Sequence, residues 1–139
     1  MKFQFLLENI KDTKDLDKLV KELKPILLNW DGTPFEFNEI TFKTIDGNVV
    51  KDEKEMDFVE GGNGFRYDFI PKDEIWIDKN INSEDWKFIA LHEFSESWMM
   101  HYMDLSYNNA HDKANVKEHS WRNELIKPKS QRMPLKYRS

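Results

Sequence analysis

The stretch LHEFSESWMMHY, residues 91–102, contains side chains that can bind a metal ion or move a proton. His92 and Glu93 are adjacent, and Glu96 follows His92 by four residues. Residues four apart lie on the same face of a helix, so the side chains of His92 and Glu96 can reach one ion together. An imidazole nitrogen and a carboxylate oxygen are both ligands that zinc accepts.

The surrounding sequence predicts that this stretch is helical. From Ser83 the apolar residues follow the period of an α-helix, which should continue to about Met103. On this helix His92 and Glu96 fall inside a wide apolar arc, and Glu93 lies at its boundary with the polar side. A carboxylate on an apolar face is costly to bury unless it is paired or bound to a metal. Glu96 is therefore expected to have a partner from another element.

A second predicted helix supplies candidate partners. It should begin after Ser106, which can cap it, and continue from Tyr107 to about Asn123. One of its faces carries a set of aromatic, ionisable and small residues: Tyr107, His111, Ala114 and Glu118. The link between the two helices is short, so they are expected to be antiparallel neighbours.

Face-to-face packing of these helices would bring His92, Glu96 and His111 to one point. Two imidazoles and one carboxylate are a common ligand set for catalytic zinc, with water in the fourth position. Glu93, next to the first histidine, is then placed to act as the general base that accepts a proton from this water. Glu118 can be a fourth ligand, a carboxylate that orients His111, or a salt-bridge partner, and the second of these roles is favoured.

The segments EIWID, WKFIALHEFSES and AHDKANVKE, within residues 65–122, resemble the compact zincin-like metallopeptidase domains of phage and mobile-element proteins. The resemblance implies a zinc peptidase in which His92 is a metal ligand and Glu93 is the general base. It also implies that the strand at residues 73–78 is an edge strand that aligns a peptide substrate. The sequence departs from the zincin pattern at Glu96, where that family has a second histidine.

A second interpretation needs no catalysis, and the site then keeps either a structural metal or a polar cluster. The same three side chains can form a hydrogen-bonded polar cluster that ties the two helices together. The chain would then be a non-catalytic, phage-type module that binds or inhibits another protein, a role that suits its acidic body. Residues 1–126 hold 16 basic and 26 acidic side chains. Both interpretations stay open, and a peptide or protein is the expected substrate or partner in either.

The composition narrows the metal chemistry and the cell compartment. The chain has no cysteine, so a metal must be held by His, Asp or Glu. Zinc is the expected ion, although such a site accepts other divalent metals. The sequence shows neither a signal peptide nor an apolar stretch of membrane-spanning length, so we expect no membrane contact and a cytoplasmic protein, in the host cytoplasm if it is phage-encoded.

The length of 139 residues fits one domain, assigned to residues 1–126, followed by a basic tail at 127–139. The tail carries five basic and no acidic residues. A solvated terminus is the favoured interpretation, and contact with nucleic acid is an alternative that involves this tail alone.

The remaining patterns predict an α+β fold of the minimal zincin-like kind. It should comprise an N-terminal helix, a small mainly antiparallel sheet and two packed C-terminal helices. The first helix is expected at residues 14–24 with Thr13 as its cap, and the dipeptide at 46–47 is a hairpin signal. EGGNG at 60–64 is expected to be a flexible loop. FRYDFI and EIWID are predicted strands.

Overall fold

The computed structural model describes residues 12–53 and 58–126. The first eleven residues of the predicted domain lie outside the described residues. The predicted basic tail at 127–139 also lies outside them. The elements in chain order are α1 (Thr13–Leu28), β1 (Phe35–Phe37), β2 (Ile40–Ile45), α2 (Gly47–Glu53), β3 (Gly61–Asn63), β4 (Glu74–Asp78), a 3₁₀ turn (Ser83–Asp85), α3 (Trp86–Tyr102) and α4 (Tyr107–Ile126). The predicted α+β class is confirmed.

The four described strands form one mixed sheet with the order β1-β2-β4-β3. The β1–β2 and β3–β4 pairs are antiparallel, whereas β2 and β4 are parallel. Two of these three pairings are antiparallel, as predicted. Phe42 of β2 and Ile75 and Ile77 of β4 are buried in the same apolar core as α1 and α3. This core holds α3 against the sheet.

The strand EIWID is in the interior of the sheet, so its predicted position at an edge is wrong. It forms β4 and is paired with β2 on one side and β3 on the other. Its backbone groups are therefore used by neighbouring strands and cannot align a peptide. Among the described strands, the edges of the sheet are β1 and β3.

The structure has a hairpin turn at residues 38–39 and a helix, rather than a hairpin, at residues 46–47. The hairpin between β1 and β2 reverses at Asn38 and Glu39, both with positive φ (52° and 64°). Asn tolerates this backbone conformation better than most residues. The dipeptide at 46–47 instead begins α2, where the Gly47 N–H donates to the buried carboxylate of Asp78 at 3.0 Å. FRYDFI forms turns rather than a strand.

The predicted N-terminal helix is present but longer than expected. Asp12, rather than Thr13, caps it by accepting hydrogen bonds from the N–H groups of Lys14 and Asp15. Pro25 lies inside the helix, which continues to Leu28. Its apolar stripe is buried against α3: Leu16, Val20, Leu23 and Leu27. This stripe, α3 and the buried residues of β2 and β4 form one core.

The two C-terminal helices form as predicted, except that α3 begins at Trp86 rather than after Ser83 and α4 ends at Ile126 rather than near Asn123. A 3₁₀ turn capped by Asn82 precedes α3, and the Ser106 hydroxyl accepts from the Asn109 N–H at 3.2 Å to cap α4. Ala110 and Ala114 of α4 are fully buried and belong to the core that includes α3. Because alanine side chains are short, the two helix backbones can approach closely at these positions.

The glycine-rich segment expected as a flexible loop forms β3 and is buried. A Cβ at Gly61 would lie 2.7 Å from Ile89 Cγ2 and 3.0 Å from the Trp76 carbonyl oxygen. Only glycine allows the strand to approach α3 and β4 so closely. This approach brings Asn63, the next residue but one, to the buried side of α3.

None of the described helices combines the length and the apolar character that crossing a bilayer requires.

Candidate metal centre

The structure brings together the three residues predicted as metal ligands. The Nε2 atom of His92 lies 3.1 Å from Glu96 Oε2 and 3.2 Å from His111 Nδ1, and the third side of this triangle, from His111 Nδ1 to Glu96 Oε2, is 2.8 Å. His92 and Glu96 come from α3 and His111 from α4. We call these three residues the His–Glu–His cluster. Within residues 12–53 and 58–126, it is the group of side chains whose spacing suits a metal ion.

The dimensions of this cluster are close to those of a tetrahedral zinc site. Zinc–ligand bonds of about 2.0–2.1 Å place neighbouring donor atoms roughly 3.3–3.4 Å apart. The observed separations of 2.8, 3.1 and 3.2 Å are slightly shorter. Side-chain shifts of about a few tenths of an ångström would therefore bring these separations to the values of a zinc site. The donor types and their spacing both fit zinc.

Burial differs among the three residues in a way that leaves one side of the cluster accessible. Glu96 is only 2% exposed, and His92 is also buried, whereas the His111 side chain is 38% exposed. A cavity of about 250 Å³ adjoins the cluster, and His92, His111 and Glu93 contribute to its lining. Val59 and Glu60, which precede β3, also line it. A small molecule or a part of a peptide could reach the cluster from this side.

Glu118 lies beside His92 and not, as predicted, beside His111. Its Oε1 is 3.1 Å from His92 Nδ1, within the range of an ion pair, although the ring N–H is not aligned for a hydrogen bond. Arg122 donates to Glu118 Oε2 at 2.9 Å and to Asp85 Oδ1 at 2.6 Å. Glu118 therefore faces the ring nitrogen of His92 that points away from the cluster. Carboxylates in this position orient metal-binding histidines and increase their basicity.

Asn63 is the residue at the centre that sequence reasoning missed. It is fully buried, and its Nδ2 donates to Glu93 Oε1 at 3.0 Å and to Glu96 Oε1 at 3.1 Å. It lies 30 and 33 residues from these partners in the chain. The glycines around it could have signalled a close backbone approach, but no local pattern identifies the asparagine itself as part of the site.

Glu93 is buried next to the cluster, and its environment favours a proton. Burial raises the pKa of the Glu93 carboxyl above its usual range, and the negative charge of Glu96 raises it further. The charge of His92 and the hydrogen bond from Asn63 act in the opposite direction. A carboxylate with a raised pKa accepts a proton more readily than an exposed one, which is the property required of a general base.

The charge on His92 depends on the surrounding carboxylates. Burial alone would lower the pKa of His92, but its contacts with Glu118 and Glu96 outweigh burial and raise the pKa from 6.5 to about 10. In the metal-free protein His92 is therefore expected to carry a proton at neutral pH. Because a metal ligand must be a neutral imidazole, a bound ion has to displace this proton.

Tyr107 lies next to the His–Glu–His cluster, and the remaining two histidines of the chain lie outside it. Tyr107 places its hydroxyl 3.5 Å from His111 Nδ1, and the Arg66 guanidinium lies 4.6 Å from the centre of the Tyr107 ring. His101 and His119 are exposed. His101 contacts the ring of Phe65 at a centroid distance of 5.0 Å and is not part of the cluster. These two histidines provide natural controls for experiments on His92 and His111.

Comparisons with protein-family models, curated proteins and solved structures found no match to this chain. The resemblance to zincin-like domains therefore stays a prediction. What supports a function is the set of side chains and distances described above.

Replacing Glu118 by glutamine should weaken zinc binding by about 10–100-fold, the usual effect of losing a carboxylate behind a ligand histidine. Glutamine keeps the shape of the side chain but removes the charge that faces His92. Competition with a chromophoric zinc chelator measures the affinity. Glu124→Gln is the matched control, since Glu124 is on the same helix but is paired with Lys24 at 3.8 Å. Equal affinities of the Glu118→Gln and wild-type proteins would contradict this role.

Zinc affinity should also depend on pH. Because the raised pKa of His92 keeps it protonated below about 10, zinc must displace at least one proton at neutral pH. The apparent affinity is then expected to rise by about tenfold for each unit of pH between 6 and 8. Calorimetry in buffers of different ionisation enthalpy would count the released protons. An affinity without pH dependence and no proton release would refute the expected exchange of a proton for the ion.

Proposed function

We propose that this chain is a zinc-dependent hydrolase, and most specifically a small peptidase. In this proposal His92, Glu96 and His111 hold the ion and Glu93 is the general base. The observation that carries it is the convergence of two imidazoles and one buried carboxylate within 3.2 Å of one another, at a cavity that also contains Glu93. Glu118 supports His92 from behind.

Each side chain has a definite task in this proposal. Zinc held by the cluster would polarise a substrate carbonyl and lower the pKa of a water molecule. Glu93 would accept the proton of that water and later pass it to the leaving group. Its Oε1 is held by Asn63 at 3.0 Å, so the proton would go to the other oxygen, Oε2. The half-exposed ring of His111 lies at the mouth of the site, where substrate would arrive.

The resemblance to zincins assigns substrate alignment to an edge strand. β4 is paired on both sides, and the residues of β3, the described edge strand beside the cluster, are buried. We therefore assign contact with the substrate to Val59, the exposed residue shortly before β3. β3 is short, and Val59 forms a bridge with Gly61 just before it. Val59 is 59% exposed and lines the cavity, so it would contact a substrate residue next to the bond that is cleaved.

One observation favours a non-catalytic alternative. The separations of 2.8–3.2 Å within the cluster are also those of hydrogen bonds, and a protonated His92 satisfies Glu96 without any ion. In that case the cluster would tie α3 to α4, and the acidic chain would act as a protein-binding or inhibitory module. Zinc content separates this alternative from the metal site, and turnover separates it from the enzyme.

The purified full-length chain is expected to retain about one zinc ion after exposure to zinc and gel filtration, as required for a single centre. A His92→Ala, His111→Ala double variant should retain a negligible amount, because it loses both imidazole ligands. Elemental analysis by mass spectrometry measures the metal. The control is His101→Ala, His119→Ala, which removes the other two histidines and should bind as the wild type does. Negligible zinc in the wild type would rule out the metal centre.

Glu93→Gln should keep its zinc but lose about 10²–10⁴-fold in turnover, the usual contribution of a general base. The assay is cleavage of a diverse peptide library followed by mass spectrometry of the products. Glu84→Gln, an exposed glutamate at the start of the same helical segment, should remain fully active. If Glu93→Gln cleaves peptides as fast as the wild type, another group is the base. If the zinc-loaded wild type cleaves no peptide, the binding module is favoured.

A further inference from the structure

Asn63 on β3 donates hydrogen bonds to Glu93 and Glu96, the two carboxylates of the centre that lie on α3. We propose that Asn63 is a positioning residue that restricts Glu96 to binding the ion through one oxygen, Oε2. This inference rests on the proposed metal centre and adds a residue from β3 to it. It concerns how Glu96 coordinates, so it can fail while the metal centre itself is correct.

The orientation of the Asn63 amide is fixed by the backbone that follows it. Its Oδ1 accepts hydrogen bonds from the N–H groups of Phe65 at 2.9 Å and Arg66 at 3.2 Å. Since backbone N–H groups can only donate, the oxygen must face them and the NH₂ group must face the two glutamates. Both of its hydrogens are then used, one for each carboxylate.

The two oxygens of Glu96 consequently have separate partners. Oε2 faces His92 and His111 at 3.1 and 2.8 Å, whereas Oε1 accepts from Asn63 at 3.1 Å. For both oxygens to bind one ion, the carboxylate would have to rotate and give up the Asn63 bond. One hydrogen of the fully buried amide would then be left without an acceptor, which is unfavourable for a polar group away from water. Single-oxygen binding avoids this cost.

The same NH₂ group lies between two acidic side chains. Glu93 and Glu96 are one turn apart on α3, and both oxygens that point toward Asn63 are stabilised by it. One amide therefore sets the orientation of the ligand carboxylate and of the proposed base together. Loss of the amide should release both, so that Glu96 binds through two oxygens and the coordination number rises from four to five.

Cobalt(II) provides the test, because its visible absorption is strong in four-coordinate sites and weak at higher coordination numbers. The full-length wild type loaded with Co²⁺ is expected to show the strong bands. Asn63→Ala should bind Co²⁺ but lose about half or more of the band intensity as the geometry changes. Asn80→Ala is the matched control, since Asn80 also donates to a carboxylate, Asp46 at 2.8 Å, but at an exposed position just after the ends of β4 and β2.

Asn63→Ser guards against a variant that does not fold. A serine hydroxyl can still accept a hydrogen bond from the backbone N–H of Phe65, but it removes the NH₂ group that faces the two glutamates, so this variant should fold and show the same loss of intensity. Wild-type band intensity in a folded Asn63 variant would overturn the inference. If neither variant folds, the side-chain amide of Asn63 is followed in Co²⁺-free, Zn²⁺-loaded wild type by ¹⁵N NMR. Both amide hydrogens should be protected from exchange, and rapid exchange would overturn the inference.

The outcomes distinguish this inference from the proposed function. Failure of the wild type to bind Co²⁺ at all would remove the metal centre, and Asn63 would lose this role with it. Strong four-coordinate bands in the wild type and in both Asn63 variants would leave the metal centre intact and reject Asn63 as the positioning residue.

Discussion

The buried carboxylate of Glu96 is the constraint on which the rest of this structure depends. It is 2% exposed, and an ionised carboxylate taken out of water is strongly unfavourable unless other groups compensate it. The compensation comes from three elements: His92 on α3, His111 on α4 and Asn63 on β3. The two oxygens of this carboxylate therefore connect the two helices to the edge strand of the sheet. This also explains the glycines at positions 61 and 62 of β3, which allow a close approach to α3 and to the neighbouring residues.

The same surroundings suit either a proton or a metal ion at the centre of the cluster. Glu96 and Glu118 lie on opposite nitrogens of His92 and raise its pKa to about 10, which stabilises an imidazolium. Arg122 and Asp85 extend this contact beyond Glu118 and hold its carboxylate in place. A dication at the cluster would take over the positive charge that the proton provides in its absence. The polar cluster and the proposed metal centre would thus be two charge states of one arrangement.

The part of the site that follows from helix geometry could be predicted from the sequence. The spacing of His92 and Glu96, and the face of α4 that carries His111, come from local periodicity, and the short link makes the two helices neighbours. Asn63 and the partner of Glu118 could not be predicted in this way. Asn63 depends on pairing between β3 and β4, and Glu118 faces His92 because of how the helices are rotated against each other. The interior position of β4 likewise depends on β2, more than thirty residues earlier.

X-ray absorption at the zinc K-edge of the purified, zinc-loaded protein tests the central claim most directly. A site formed by the His–Glu–His cluster predicts two imidazole nitrogens and at least one carboxylate oxygen at about 2.0–2.2 Å, in a four-coordinate environment. The imidazole rings add a characteristic multiple-scattering signal. A shell of oxygen atoms alone, without that signal, would show that zinc is bound elsewhere and would contradict the account.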